Sequence, residues 1–250
     1  MSADNMIIGR HPVLESLRSE QPPEKVYVLF GTHGSAIEQI RQMAKRQGIP
    51  VKEIDKRRFS ELCADPNAQG VMAVGSTATY ADVDGLLKIA ADKGEPPFLL
   101  VLDEIEDPHN VGALIRTAEC AGIHGVILAK HHSAGLTETV AKASAGASLH
   151  LPAAKVTNIA STLDELRSKG IWVVGTDMQG NKAFDEMDYK GAIAIVVGNE
   201  GKGIRRLVKE KCDFLVTIPM YGKIGSLNAS VAGALVLYTA TRNRHRPPKP

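Results

Sequence analysis

From Phe98 onward the chain sets unbroken apolar runs between segments of helical periodicity, and this alternation constrains the fold more than any other feature. The runs are Phe98 to Leu102, Val126 to Ala129, Ile171 to Val174, Ile193 to Val197 and Phe214 to Ile218. A strand with one face in water alternates apolar and polar residues, whereas an unbroken run must be covered on both faces. Such runs separated by helices predict an α/β domain with a mainly parallel sheet.

The first 75 residues are patterned separately. After Ile7-Ile8-Gly9-Arg10, Val13, Leu14 and Leu17 recur at helical spacing behind Pro12, a residue suited to a first helical turn. Val26 to Leu29 reads as a strand, Ile37, Ile40, Met43 and Ala44 mark an amphipathic helix, and short strands follow around Val51 and at Val71 to Val74. This predicts a small α/β unit over residues 1–75. Residues 76–97 contain Ser76-Thr77-Ala78-Thr79, a short helical pattern over Val83 to Ala91, and Gly94-Glu95-Pro96-Pro97, and read as a linker. The second domain then spans 98–241. Residues 242–250 form a basic, proline-rich tail expected to be disordered.

Composition excludes several classes. With 30 Lys+Arg against 28 Asp+Glu, the net charge of +2 supplies little overall attraction for a polyanion, so any nucleic-acid surface must be a local patch. Cys63, Cys120 and Cys212 form no C-x-x-C pair, which argues against both a zinc site and a disulfide framework and fits a reducing cytoplasm. Met1 to Asn5 lacks a basic leader followed by an apolar core, and no apolar run approaches 18 residues. Neither secretion nor membrane spanning is expected.

Three segments carry candidate chemistry. In Asp103-Glu104-Ile105-Glu106-Asp107-Pro108-His109-Asn110, a strand end passes through a polar loop into a helix whose buried stripe is Val111, Leu114, Ile115 and Ala118. Asn110 stands where a helix cap belongs, and Arg116 points away from the stripe. In Gly198-Asn199-Glu200-Gly201-Lys202-Gly203, three glycines surround a carboxylate directly after a strand, which suits close backbone approach to a ligand. The spacing matches neither G-x-G-x-x-G nor the P-loop, so a dinucleotide or nucleoside-triphosphate cradle is not indicated. In Ile218-Pro219-Met220-Tyr221-Gly222-Lys223-Ile224-Gly225-Ser226-Leu227-Asn228, Ser226 reads either as an N-cap or, with Asn228, as part of a ligand crevice at a strand end. Small residues beyond Asn228 predict a closely packed helix up to Tyr238.

In order and setting, these segments resemble the three signature motifs of the SpoU family of RNA ribose 2′-O-methyltransferases, within the SPOUT class. The N-terminal Gly9-Arg10-His11-Pro12-Val13-Leu14-Glu15 and Gln69-Gly70-Val71 are similar to the ribosomal-protein-like RNA-binding domain of a subgroup that methylates a guanosine of large-subunit rRNA; Ala68 stands where that subgroup commonly has histidine. The resemblance implies a trefoil-knotted catalytic domain, S-adenosylmethionine as the only cofactor, no metal, and a homodimer. It implies that Thr176, Gly198, Asn199, Gly201, Gly203, Ile218, Met220, Ser226, Leu227 and Asn228 hold the cofactor. Asn110, Arg116, Glu200, Ser226 and Asn228 become the catalytic set. Arg116 also faces RNA, and Arg10, Tyr27 and Phe30 are candidates for RNA recognition, since unpaired bases stack on aromatic and arginine side chains. Alternatives are a tRNA 2′-O-methyltransferase of the same family, a catalytically silent RNA-binding paralogue, and a Rossmann-type oxidoreductase, which the missing glycine fingerprint disfavours.

Overall fold

A computed structural model describes residues 6–19, 22–23, 25–63, 65, 68–74 and 80–245. The first domain runs β1 (Met6–Ile8), α1 (Arg10–Arg18), β2 (Lys25–Leu29), α2 (Ser35–Arg46), β3 (Val51–Ile54), α3 (Lys56–Leu62) and β4 (Val71–Val74). Its sheet has the order β1-β4-β2-β3, antiparallel except for the β2–β3 pair. Period-two alternation in β2 serves both faces. Val26 and Val28 pack with Ile37 and Ile40 of α2, whereas Tyr27 and Leu29 cover a smaller cluster around Phe59.

The second domain contains β5 (Tyr80–Ala81), α4 (Val83–Asp92), β6 (Phe98–Asp103), α5 (Pro108–Cys120), β7 (Gly125–Ala129), α6 (Glu138–Ala143), β8 (Ala153–Val156), α7 (Ile159–Ser168), β9 (Trp172–Thr176), β10 (Lys182–Ala183), β11 (Ile193–Gly198), α8 (Arg206–Lys209), β12 (Phe214–Thr217) and α9 (Ala229–Arg244). Its strands lie in the order β10-β12-β9-β11-β6-β7-β8-β5, and every neighbouring pair is parallel. The central strands β6 and β11 are buried at every position, as their unbroken apolar runs require. Leu114 and Ile115 of α5 and Val236 and Leu237 of α9 cover one face, while Leu86 of α4 and Leu163 and Leu166 of α7 cover the other. Helices α5 and α9 meet closely because Gly233 has no side chain: a Cβ there would lie 2.4 Å from Leu114 Cδ2.

Two boundary expectations are corrected. Residues 80–92 are no linker, because β5 pairs with β8 and Leu86 is fully buried in the second domain's core; residues 75–79 lie outside the described residues. Leu86→Ala is therefore expected to cost about 2–5 kcal/mol of stability in chemical denaturation, where a linker residue would cost almost nothing. The tail is also shorter than expected. Helix α9 continues to Arg244, whose guanidinium donates to the carbonyls of Pro96, Tyr189 and Gly191, and only 246–250 fall outside the described residues.

The domains touch through the tight 3-10 turn Ala147–Leu149. Leu149 packs against the first domain's core, and His150 Nε2 lies 2.7 Å from Glu15 Oε2. Gly146 (φ 89°) permits the approach, since a Cβ would fall 2.4 Å from Glu15 Cβ.

Candidate active site

The carboxyl ends of β9, β11 and β12 open on a cavity of about 280 Å³. Parallel α/β sheets place ligand crevices at this edge, where connections from adjacent strands diverge. The loop after β11 is shaped by its own backbone: Asn199 N–H donates to the Gly203 carbonyl (3.1 Å) and Gly203 N–H returns to Asn199 (2.7 Å). The Asn199 side chain finishes the turn, accepting from Gly201 N–H (2.9 Å) and donating to the Glu104 carbonyl (3.1 Å). Gly198 allows this, because a Cβ would lie 2.3 Å from the Gly203 carbonyl carbon.

A second brace was not anticipated. Asp103, fully buried at the end of β6, accepts from the Arg205 backbone N–H (2.9 Å) and from its Nε (2.8 Å) and Nη2 (2.6 Å). The ion pair favours the charged guanidinium and raises its pKa. Arg205 Nη1 also lies 3.2 Å from Glu104. This clamp joins the loop after β6 to the loop after β11. Nothing local in either segment names the partner.

Residues from all three motif segments meet beside the cavity. Asn110 is buried, and its Nδ2 donates to Glu200 Oε1 and to Asp107 Oδ2 (3.1 Å). Asn228 Nδ2 donates to the same Glu200 oxygen (2.9 Å) and to Asn110 Oδ1 (3.0 Å). One carboxylate oxygen thus accepts from two amides that are themselves bonded. The cap expectations change accordingly. Asp107, before Pro108, is the N-cap of α5, so Asn110 is released for the cluster; Asp-Pro at a helix start is a readable signal. Asn228, not Ser226, caps α9, its Oδ1 accepting from Ser230 N–H (2.9 Å) and Val231 N–H (3.3 Å).

Asn228 therefore has two jobs, which Asn228→Asp separates. The variant keeps the cap acceptor but loses both Nδ2 donations and faces Glu200 with a second negative charge. Helix content by circular dichroism should hold while affinity for the ligand of the adjoining cavity falls on the order of 10-fold.

Thr176, Gly198, Asn199, Glu200, Gly201, Gly203, Ile218, Met220, Ser226 and Leu227 all line the cavity; Asn110, Arg116 and Asn228 do not. The wall also includes Asp177, Met178, Gln179 and Lys209, with Lys209 paired to Asp177. Asp177 to Gln179 directly follow β9, and their place at a parallel strand's carboxyl end is the signal that could have found them. Arg116 is exposed on α5 and makes no hydrogen bond or ion pair with any described residue. In the first domain, Phe30 is 75% exposed, Arg10 is tied to Gln69, and Tyr27 is half-buried against the Phe59 cluster.

The wall suits a zwitterionic nucleoside. Met178, Val197, Ile218, Met220 and Leu227 offer apolar surface for a flat base, Asp177, Glu200, Lys202 and Lys209 offer both signs of charge, and Gly201 leaves backbone open. Among the described residues no cluster of three or more metal-ligating side chains occurs, and no helix is long and apolar enough to cross a membrane.

The SpoU rRNA Methylase family matches residues 97–238, and the RNA 2′-O ribose methyltransferase substrate-binding domain matches residues 6–81. Fold and site thus define an RNA-modifying methyltransferase with a separate substrate-binding domain. A Bacillus subtilis protein, YacO, named as a TrmH family tRNA/rRNA methyltransferase, is 46% identical over 239 residues, 96% of each chain. The AdoMet-bound rRNA methyltransferase from Sinorhizobium meliloti superposes with TM-score 0.77 at 26% identity, covering 96% of this chain and 87% of its own. The TrmH/SpoU tRNA modifying enzyme of A. aeolicus covers only 59% of this chain and 75% of its own, with TM-score 0.53 and 29% identity. The chain belongs to the SpoU family and is an S-adenosylmethionine-dependent RNA ribose 2′-O-methyltransferase.

Proposed function

We propose that the chain methylates the ribose 2′-hydroxyl of a guanosine in large-subunit rRNA, as a homodimer in the cytoplasm, with the last helix threaded through a trefoil knot. The observation that favours rRNA is the extent of the likeness: the S. meliloti rRNA methyltransferase covers 96% of the chain and so spans both domains, whereas the A. aeolicus tRNA enzyme covers 59% of it. A tRNA target is the second reading.

The cavity residues named above hold S-adenosylmethionine, which when bound supplies a methyl group activated by a sulfonium. Thr176 fixes the floor by donating to the Val196 carbonyl (3.1 Å), and the Gly198 to Gly203 hairpin presents its backbone. The Asn110, Glu200 and Asn228 cluster holds the edges of the loops in register, while Ser226 stands at the cavity mouth, placed to orient the ribose. A guanidinium offers hydrogen-bond donors and no acceptor, so Arg116 is no general base. It grips the phosphate beside the target and stabilises the developing alkoxide, while a phosphate oxygen or water takes the 2′-proton.

Arg116 is not in the wall of its own cavity, which favours action on a second copy. Beside it, Val231, Leu235 and Tyr238 leave a half-exposed apolar stripe on α9, facing Ala113 and Thr117 of α5. A two-fold contact through this groove covers the stripe and brings Arg116 toward the partner's cavity. Leu235→Glu is expected to convert a dimer, measured by sedimentation, to a monomer that folds and lacks activity. The function is tested by mapping 2′-O-methylation in total RNA with and without the protein; a missing mark in tRNA alone would overturn the rRNA assignment.

A further inference from the structure

The first domain carries a second concavity with a prearranged polar set, lined by Arg10, His11, Leu29, Thr32, Gln69 and Gly70 among others. Gln69 sits at φ 51°, a left-handed conformation that residues with side chains adopt at a cost and that clusters at functional sites. Beside it, Gly70 (φ 74°) leaves no room for a Cβ, which would fall 2.5 Å from Thr32 Oγ1. Arg10 holds the turn: its backbone N–H donates to Gln69 Oε1 (3.3 Å) and its Nε to the Gln69 carbonyl (3.2 Å).

Those two bonds decide what the site offers. With Oε1 engaged, the Gln69 amide presents its Nε2 donors. Arg10 keeps both terminal amino groups, and neither these nor Nε2 has a partner among the described residues. Phe30, 75% exposed, lies on the turn closed by Thr32 N–H donating to the Leu29 carbonyl (3.0 Å), at the rim.

We propose that this concavity reads the Hoogsteen edge of one unpaired guanine in the RNA, Arg10 and Gln69 donating to O6 and N7 while Phe30 stacks on an adjacent base. The proposal rests on the reading that the first domain recognises RNA. Guanine presents two acceptors side by side on that edge. Adenine places its N6 donor against the same donors, and turning the Gln69 amide to suit it forfeits the Arg10 bond. The deep, narrow groove of an RNA duplex hides this edge, so the base must be unpaired. The base read here is not the nucleotide methylated, since the cavity belongs to the other domain.

The test uses the full chain and fluorescence anisotropy with uridine heptamers carrying one central guanine, 7-deazaguanine or adenine. The guanine oligomer should bind on the order of 10-fold more tightly than either alternative. Arg10→Lys keeps the charge but loses the fork, and Gln69→Asn keeps tolerance of left-handed backbone but withdraws the amide. Each should reduce the preference to about 2-fold or less, with Tm within a few degrees of wild type. Equal binding of guanine and adenine, undiminished binding of 7-deazaguanine, or full preference in both variants would overturn the proposal. Calorimetry with S-adenosylmethionine and methylation of cellular RNA on the same preparations keep the two readings apart. Intact methylation without base preference removes only the guanine site, whereas lost methylation in the wild-type chain removes the functional reading.

Discussion

Arg116→Ala is expected to lower single-turnover methylation about 10²–10³-fold at saturating RNA, the usual cost of one preorganised donor aimed at developing charge. The side chain is exposed and makes no hydrogen bond or ion pair with any described residue, so thermal stability and S-adenosylmethionine affinity should stay near wild type. Arg116→Lys should recover only part of the rate, because an ammonium keeps the charge without the planar fork that spans a phosphate and an alkoxide. Mixing Arg116→Ala with Ser226→Ala protein gives a sharper check if the site is completed across a dimer. Heterodimers then hold one site carrying both lesions and one carrying neither, and activity above that of either parent is expected. A near-normal rate for Arg116→Ala alone would remove the residue from the mechanism.

Gly198→Ala should be the most damaging change in the cavity wall. The added methyl would stand 2.3 Å from both the Gly203 carbonyl carbon and Ile204 N, which are backbone and cannot rotate away. The hairpin must open, at a cost of about 1–3 kcal/mol in stability. Because Glu200 lies within that hairpin, its bonds to Asn110 and Asn228 should be lost too, and S-adenosylmethionine affinity should fall at least on the order of 100-fold. Gly222→Ala, in the loop before α9 and outside the cavity lining, is the control: its Cβ would meet nothing within 4 Å, so calorimetry should show near-normal binding. Equal effects of the two substitutions would mean that the hairpin's closed shape is not what binds the cofactor.

The strands that read most clearly were β6, β7 and β11, buried at every position, since continuous apolar sequence has few other uses in a chain of this composition. Strand β8 escaped because Lys155 interrupts it; the ammonium lies 5.0 Å from the Tyr80 ring and stays on the surface while Ala153 and Ala154 before it are buried. Strand β5 is two residues long and gains its identity only by pairing with β8, some 70 residues onward, so no local pattern could separate it from a linker. The site divides similarly. Glycine spacing and the outward position of Arg116 are local properties and were legible. The role of Asn110 depends on Asp107 taking over the cap and on acceptors and donors 90 and 118 residues away. The Asp103–Arg205 clamp, 102 residues apart, left no trace in either segment.

Those separations have a temporal meaning. A ribosome releases Asn110 early, Glu200 90 residues later, and Asn228 only after another 28. Until α9 emerges and its cap locks onto Glu200, the loop that shapes the cavity lacks one of its two amide donors. A prematurely ended chain thus lacks a finished pocket. Competence to modify arrives with the final helix, so incomplete translation products are silent by construction.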